Sequence, residues 1–225
     1  MDAGAQTPTW LHLSFEQRTR YEHLTNSFRL NASGTEKHFP LRTRLQVDVG
    51  ENSRPVRFLI ELQDSRVLYE EAKLYSTRAN INEIDFLQAH LQFQSGRFPS
   101  KNVKSRLLAG RFTMDLGKRR LVARNNMRNT TNAFDGVSWT LDGERSWKLR
   151  TFITRPTVIE PYSLDGSGRR YFWGAYFEST RFPKLRLDAY YFGLHDVENT
   201  RSRQRYTTMG DLCSISGRGH KDCGA

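Results

Sequence analysis

The chain has 225 residues, with 35 Lys and Arg against 24 Asp and Glu, and its formal net charge of +11 points to an anionic partner without deciding a fold. Only 37% of residues are hydrophobic while 12% are aromatic, which argues against one thick apolar core and suits apolar stripes. No run of 18 apolar residues exists, so a membrane-spanning helix is excluded.

Along the chain the start, MDAGAQTPTW, has neither a basic n-region nor an apolar h-region; as written it is no signal peptide, and residues 1–9 are expected to be unstructured. From Trp10 the dominant period is two. LHLSFEQRTRYE sets Leu11, Leu13, Phe15 and Tyr21 against His12, Glu16, Arg18 and Arg20. LRTRLQVDV sets Leu41, Leu45, Val47 and Val49 against Arg42, Arg44, Gln46 and Asp48. VRFLIELQ and FLQAHLQFQ repeat the scheme, with Phe58, Ile60, Leu91 and Phe93 opposing Arg57, Glu61, Gln63 and Gln92. Strict alternation of this kind predicts half-buried strands. Residues 61–86 read as a longer excursion, with one helical turn expected around Tyr69 to Leu74.

SRLLAGRFTMDLG continues the pattern, with Leu108, Phe112 and Met114 expected opposite Arg111, Thr113 and Asp115. RRLVARNNMRNTTNAFDG, residues 119–136, is unusually rich in arginine and amide side chains; its NN, NTTN and DG pairs oppose helix and favour turns. DGVSWTLDG, WKLRTFIT, RYFWGAYFEST and KLRLDAYYFG then bring Trp139, Trp147, Trp173 and Tyr191 to one face and Lys148, Arg150, Arg186 and Asp188 to the other. About ten strands result, separated by Gly, Asn, Pro and Asp. No helical segment covers a sheet face, so the apolar stripe faces a second sheet or lipid. A sandwich meets the alternation alone, but a polar face of Arg, Gln, Asp, Glu and His on strand after strand is what a water-filled lumen takes. The fold class expected is therefore all-β, an antiparallel up-and-down barrel of outer-membrane type; Trp139, Trp147, Trp173, Tyr171 and Tyr191 would form its interfacial belt, or the core of a soluble sheet.

WLHLSFEQRTRYEHLTNSFR, FLIELQDSR and LAGRFTMDLGKRRLVARNNMRNTTNAFDGV resemble, in that order, the alginate-export family of bacterial outer-membrane barrels, from about Trp10 to about Tyr206. The resemblance implies a large barrel in the outer membrane, an electropositive lumen and passive export of an anionic uronate polymer. Arg18, Arg20, Arg42, Arg44, Arg111, Arg120, Arg124 and Arg150 are expected on the lumen side, with Asp115 among them. A planar guanidinium donates bidentately to carboxylate, and rings of basic side chains select anions. Asp115, Asp188, Glu61 and Glu178 are expected to salt-bridge those arginines or to keep the polymer from being held too tightly. The partners implied are an acidic polysaccharide or other organic anion and outer-membrane lipid.

Past Tyr206 the alternation stops, so residues 207–225 are expected to form an atypical tail without regular structure, and 10–206 to be an incomplete barrel whose first and last strands keep open edges. Cys213 and Cys223 lack further ligands at metal-site spacing, the six histidines are scattered, and no nucleophile, zinc or phosphate-loop motif is legible. No enzyme activity and no cofactor are expected. The alternative is a basic soluble β-protein that binds nucleic acid or another polyanion, disfavoured because the arginines recur through many strands instead of forming one patch.

Overall fold

The computed structural model describes residues 9–25, 35–51, 54–70, 77–96, 99–100, 102–143, 146–182, 185–196, 205–215 and 222–223, with backbone alone for 196, 205–215 and 222–223. Thirteen strands follow in order: β1 Leu11–Thr19, β2 Glu22–Thr25, β3 Thr35–Val49, β4 Val56–Glu70, β5 Asn82–Ser95, β6 Val103–Phe112, β7 Phe134–Gly143, β8 Trp147–Val158, β9 Gly166–Ser167, β10 Arg170–Phe182, β11 Leu185–Asp196, β12 Arg205–Ile215 and β13 Asp222–Cys223. Among the described residues there is no helix. The main path runs β1-β3-β4-β5-β6-β7-β8-β10-β11-β12-β13, every pairing antiparallel, with β2 beside β3 and β9 beside β8. Each long strand pairs with its neighbour in sequence, as in a meander. Among the described residues β1 and β13 each have one neighbour, so the sheet is not closed and has the open edges of an incomplete barrel.

Polarity is inverted relative to a water-soluble sheet. Leu45 (43%), Phe58 (39%), Leu91 (42%), Phe93 (43%) and Ile153 (56%) are exposed on one face, whereas Arg42 (3%) and Arg44 (7%) are buried on the other. The register explains it: Val47, Ile60 and Ala89 stand abreast, as do Val49, Phe58 and Leu91, while Arg44 faces Gln63 and Arg57 faces Gln92. A lipid-facing barrel wall needs this arrangement, since every strand must satisfy its backbone laterally and turn apolar side chains outward. We call the apolar face outer and the polar face inner.

The connections differ at the two ends. The end of the sheet at which β3 and β4, β5 and β6, β7 and β8, and β10 and β11 are joined by two to seven residues is the short-turn end; at the other, β4 and β5, β6 and β7, β8 and β10, and β11 and β12 are joined by eight to twenty-one.

Three expectations need correction. Residues 61–70 and 82–86 belong to β4 and β5 rather than to an excursion, because Leu62 and Phe86 pair across the outer face and Gln63 and Asp85 beside them. Of the helical turn expected at 69–74, Tyr69 and Glu70 are strand and the rest lies outside the described residues. The phase of β6 is the reverse of that expected: Leu107 and Ala109 pair with Trp139 and Val137 on the outer face, so Leu108 and Phe112 turn inward and Arg111 outward. An inner cluster of Phe112, Phe134, Phe152, Tyr176 and Phe192, with Leu108 packed on it, draws β6 into this phase. Finally, residues 205–215 do have regular structure: β12 pairs with β11 from His195↔Arg205 to Leu185↔Ile215. Backbone pairing needs no apolar alternation, so loss of the pattern did not end the sheet. The expectation for residues 1–8 lies outside the described residues.

Candidate functional site

The long β6–β7 connection, residues 113–133, does not extend away from the sheet. It folds back over the inner face, and its two halves are held by different physics. In the first, Met114 and Leu116 are buried in the aromatic cluster, with Leu121 and Val122 packed against it. Leu116 and Val122 form a bridge, the Leu116 amide donating to the Val122 carbonyl at 2.9 Å. The tip between them is left-handed at Gly117 (φ 60°), Lys118 (φ 51°) and Arg119 (φ 70°). Left-handed backbone costs about 1–2 kcal/mol at each non-glycine residue. Burial of a large apolar side chain returns about 1.5–3 kcal/mol, so Met114, Leu116 and their neighbours offset the strained tip. That tip presents Lys118, Arg119 and Arg120, all exposed, above the inner wall.

The second half, 124–132, is irregular backbone with carbonyls that need donors. Arg18 donates to the carbonyls of Asn126 (2.5 Å) and Arg128 (2.7 Å), Arg20 to that of Met127 (2.8 Å), and Arg42 to that of Arg128 (3.4 Å). Arg44 donates to Thr131 Oγ1 at 2.6 Å and to Gln63 Oε1 at 2.9 Å. Arg18 and Arg42 are direct cross-strand partners, a like-charge pairing that would be unfavourable bare. The loop carbonyls and Glu16, 2.5 Å from Arg42 and 3.4 Å from Arg44, make it tolerable. Glu61, buried on β4, accepts from Arg124 and Gln88, both at 2.5 Å.

The expected site residues therefore divide. Arg18, Arg20, Arg42 and Arg44 lie together, each donating to the infolded segment while Arg20, Arg42 and Arg44 also pair with Glu22, Glu16 and Gln63 of the wall. Arg120 and Arg124 lie on that segment rather than on a strand. Asp115 braces it, accepting the Arg124 amide at 2.7 Å and Arg119 Nε at 3.2 Å. Arg150 stands on the inner face of β8, its Nε 3.4 Å from Thr140 Oγ1. Arg111 is separate, because its outward phase puts it among Asp135 (2.7 and 3.1 Å), Asp85 (3.5 Å) and the Asp165 carbonyl (2.9 Å). There the Asp165 carboxyl, in the β8–β9 connection, is pushed up to about 7 by burial and by sharing a hydrogen bond with Asp85.

Two spaces open on the inner side. One, of about 360 Å³, lies between wall and segment and is lined by Glu16, Arg44, Glu61, Asp115, Arg119 and Arg124 among others. The other, of about 580 Å³, lies at the short-turn end, with Arg54, Lys104, Arg106 and Lys148 against Asp142. Sequence reading placed Lys148 on the polar face but missed Arg54, Lys104 and Arg106 and the Lys118–Arg119 tip. The signal was available for the tip, since Gly117 before KRR marks a turn. Among the described residues no group of three or more His, Cys, Asp or Glu is arranged to hold a metal ion. No curated protein matches the chain. A family model described as alginate export matches residues 9–221, nearly the whole length.

Proposed function

The chain belongs to the alginate-export family, an outer-membrane export family and not a family of enzymes, and from that premise we propose that it contributes the wall and selectivity element of a passive path for an acidic polysaccharide. The observation that carries this reading is the basic segment folded against the inner face of an inside-out sheet. In it Arg18, Arg20, Arg42 and Arg44 anchor the segment, while Lys118, Arg119 and Arg120 at its tip, with Arg124 and Arg150, supply the field that a passing carboxylate meets. Positive charge lowers the cost of confining a uronate; Glu16, Glu61 and Asp115 among the guanidiniums keep any one position from becoming a deep trap. The short-turn end faces the periplasm, as short turns do in such barrels, so Arg54, Lys104, Arg106 and Lys148 form the mouth the polymer meets first. Arg111 has no part in the path on this reading. A soluble nucleic-acid binder would not leave Leu13 (67%), Phe15 (68%) and Ile153 exposed on one face.

The test is planar-bilayer conductance of the refolded chain, first for ion selectivity and then with oligouronates added. Anion selectivity is expected, with block by micromolar to millimolar oligouronate (on the order of ordinary weak binding). The triple change Lys118→Gln, Arg119→Gln, Arg120→Gln should shift selectivity toward cations. Cation selectivity in the unaltered chain, or a current indifferent to both oligouronate and the triple change, would overturn the reading.

A further inference from the structure

We propose that Asn129 is the positioning residue that fixes the 113–133 segment as a static bar on the inner wall, setting where the basic tip sits instead of letting it swing as a lid. Asn129 is fully buried, at 0% exposure, in the half of the segment that runs over the polar wall. Its side-chain amide lies 2.8 Å from the Leu41 carbonyl, 3.1 Å from that of Arg66 and 2.9 Å from that of Asn80, and so joins β3, β4 and the β4–β5 connection. Ser65 Oγ donates to the Asn129 carbonyl at 2.9 Å, and Arg18 reaches its Oδ1 at 3.4 Å. Next to it, the Thr130 amide donates to Ala79 (3.1 Å) and its hydroxyl to Arg78 (2.9 Å).

The wall has a reason to need this donor. Pro40 brings no N–H to the ladder, and the β3–β4 register shifts between His38 and Pro40. Leu41 and Arg66 pair directly beside that irregularity, and their carbonyls take the Asn129 amide. Only an amide side chain of this length supplies two hydrogens to three carbonyls while accepting from an arginine. An aspartate in its place would turn a carboxylate toward three carbonyls, removing the amide hydrogens that they share.

The assignment rests on the proposed path only for its consequence in the pore; its test does not. Amide hydrogen exchange is followed by mass spectrometry on the full chain refolded in detergent micelles, comparing Asn129→Asp and Ser65→Ala with the unaltered protein. Asn129→Asp is expected to speed exchange across 124–132 about tenfold or more, as loss of buried hydrogen bonds does, with β7, β8 and β10 unchanged. Ser65→Ala, which removes one bond, should speed the same residues by less, and it decides the matter alone if Asn129→Asp does not fold. Exchange in 124–132 unchanged in the folded variants, or all strands accelerating together, would overturn the assignment. A segment released in this way in a chain that conducts no anion would leave Asn129 as the pin and remove the pore reading alone.

Discussion

Asp165 keeps its proton across a range where an ordinary aspartate has lost it. Burial comes first among the causes, then the hydrogen bond shared with Asp85; the Glu160 amide at 2.9 Å and the Asn82 amide at 3.1 Å pull the other way. Arg111 and Asp135 complete the charged surroundings. From its ordinary 3.8 to about 7, the folded chain therefore binds a proton that the unfolded chain does not. Stability must fall as pH rises through that window, being greatest below it and least above it. Exchange of the amides at 159–165, corrected for intrinsic chemistry, should be slower at pH 5 than at pH 8, and Asp165→Asn should flatten the difference. A flat profile in the unaltered chain would show that no shared proton holds this connection. Neither Asp165 nor the outward turn of Arg111 was legible in sequence, because the phase of β6 is set by the inner aromatic cluster and Asp165 reaches Arg111 from a connection some 50 residues away. Arg18, Arg42 and Arg44 were legible as polar-face residues, since strand alternation is local. Their partners were not, being carbonyls and the Thr131 hydroxyl of a segment about 85 to 110 positions distant.

At the scale of elements, period-two patterning identified most long strands and their outer faces, from β1 through β11. It failed where two phases fit equally. In β6 the adjacent Leu107 and Leu108 allow either, and only contact with the inner aromatic residues of β7, β8, β10 and β11 decides. It failed again in β12, whose pairing is carried by backbone. The β5–β6–β7 junction has a further constraint that glycine satisfies. Gly110 has φ +127°, and a Cβ there would stand 2.4 Å from the Ala89 carbonyl oxygen and 2.9 Å from His90 Cα. Both contacts are backbone of the adjoining strand, so no side chain can rotate away. Gly110→Ala should therefore cost about 2–3 kcal/mol, by strained φ and strand displacement together. Gly96→Ala, where nothing lies within 4 Å of the added atom, should stay within about 0.5 kcal/mol of the unaltered chain. Urea titration of both variants refolded into lipid vesicles measures the difference, and equal midpoints would refute the close-approach argument.

For the whole molecule, the spacing of the outer aromatic residues says how the sheet sits in a bilayer. Trp147 lies at the short-turn end, facing Ser179 of β10 and stacked at 6.5 Å on Phe177. Trp173 lies toward the other end, opposite Ile153, tilted on Tyr191 at 5.6 Å and covering Gly193. From Ser179 to Trp173 is six residues along β10, about 20 Å at the usual strand rise. An apolar band of about 25 Å between two aromatic girdles is what outer-membrane barrels present to lipid. Ile153, Leu149, Ala175 and Ala189, which share the outer face between these rings, carry no charge. On the proposed orientation Trp147 and Trp173 are therefore expected at opposite interfaces, with the short-turn ring on the periplasmic side. Single-tryptophan chains retaining one or the other, refolded into vesicles, should show blue-shifted emission. Each should be quenched more by lipids brominated near the headgroup than by lipids brominated at mid-chain. Because both rings would lie shallow, the deep quencher discriminates: strong mid-chain quenching of Trp147 or Trp173 would move the band, and no quenching of either would mean that the apolar face does not meet lipid at all.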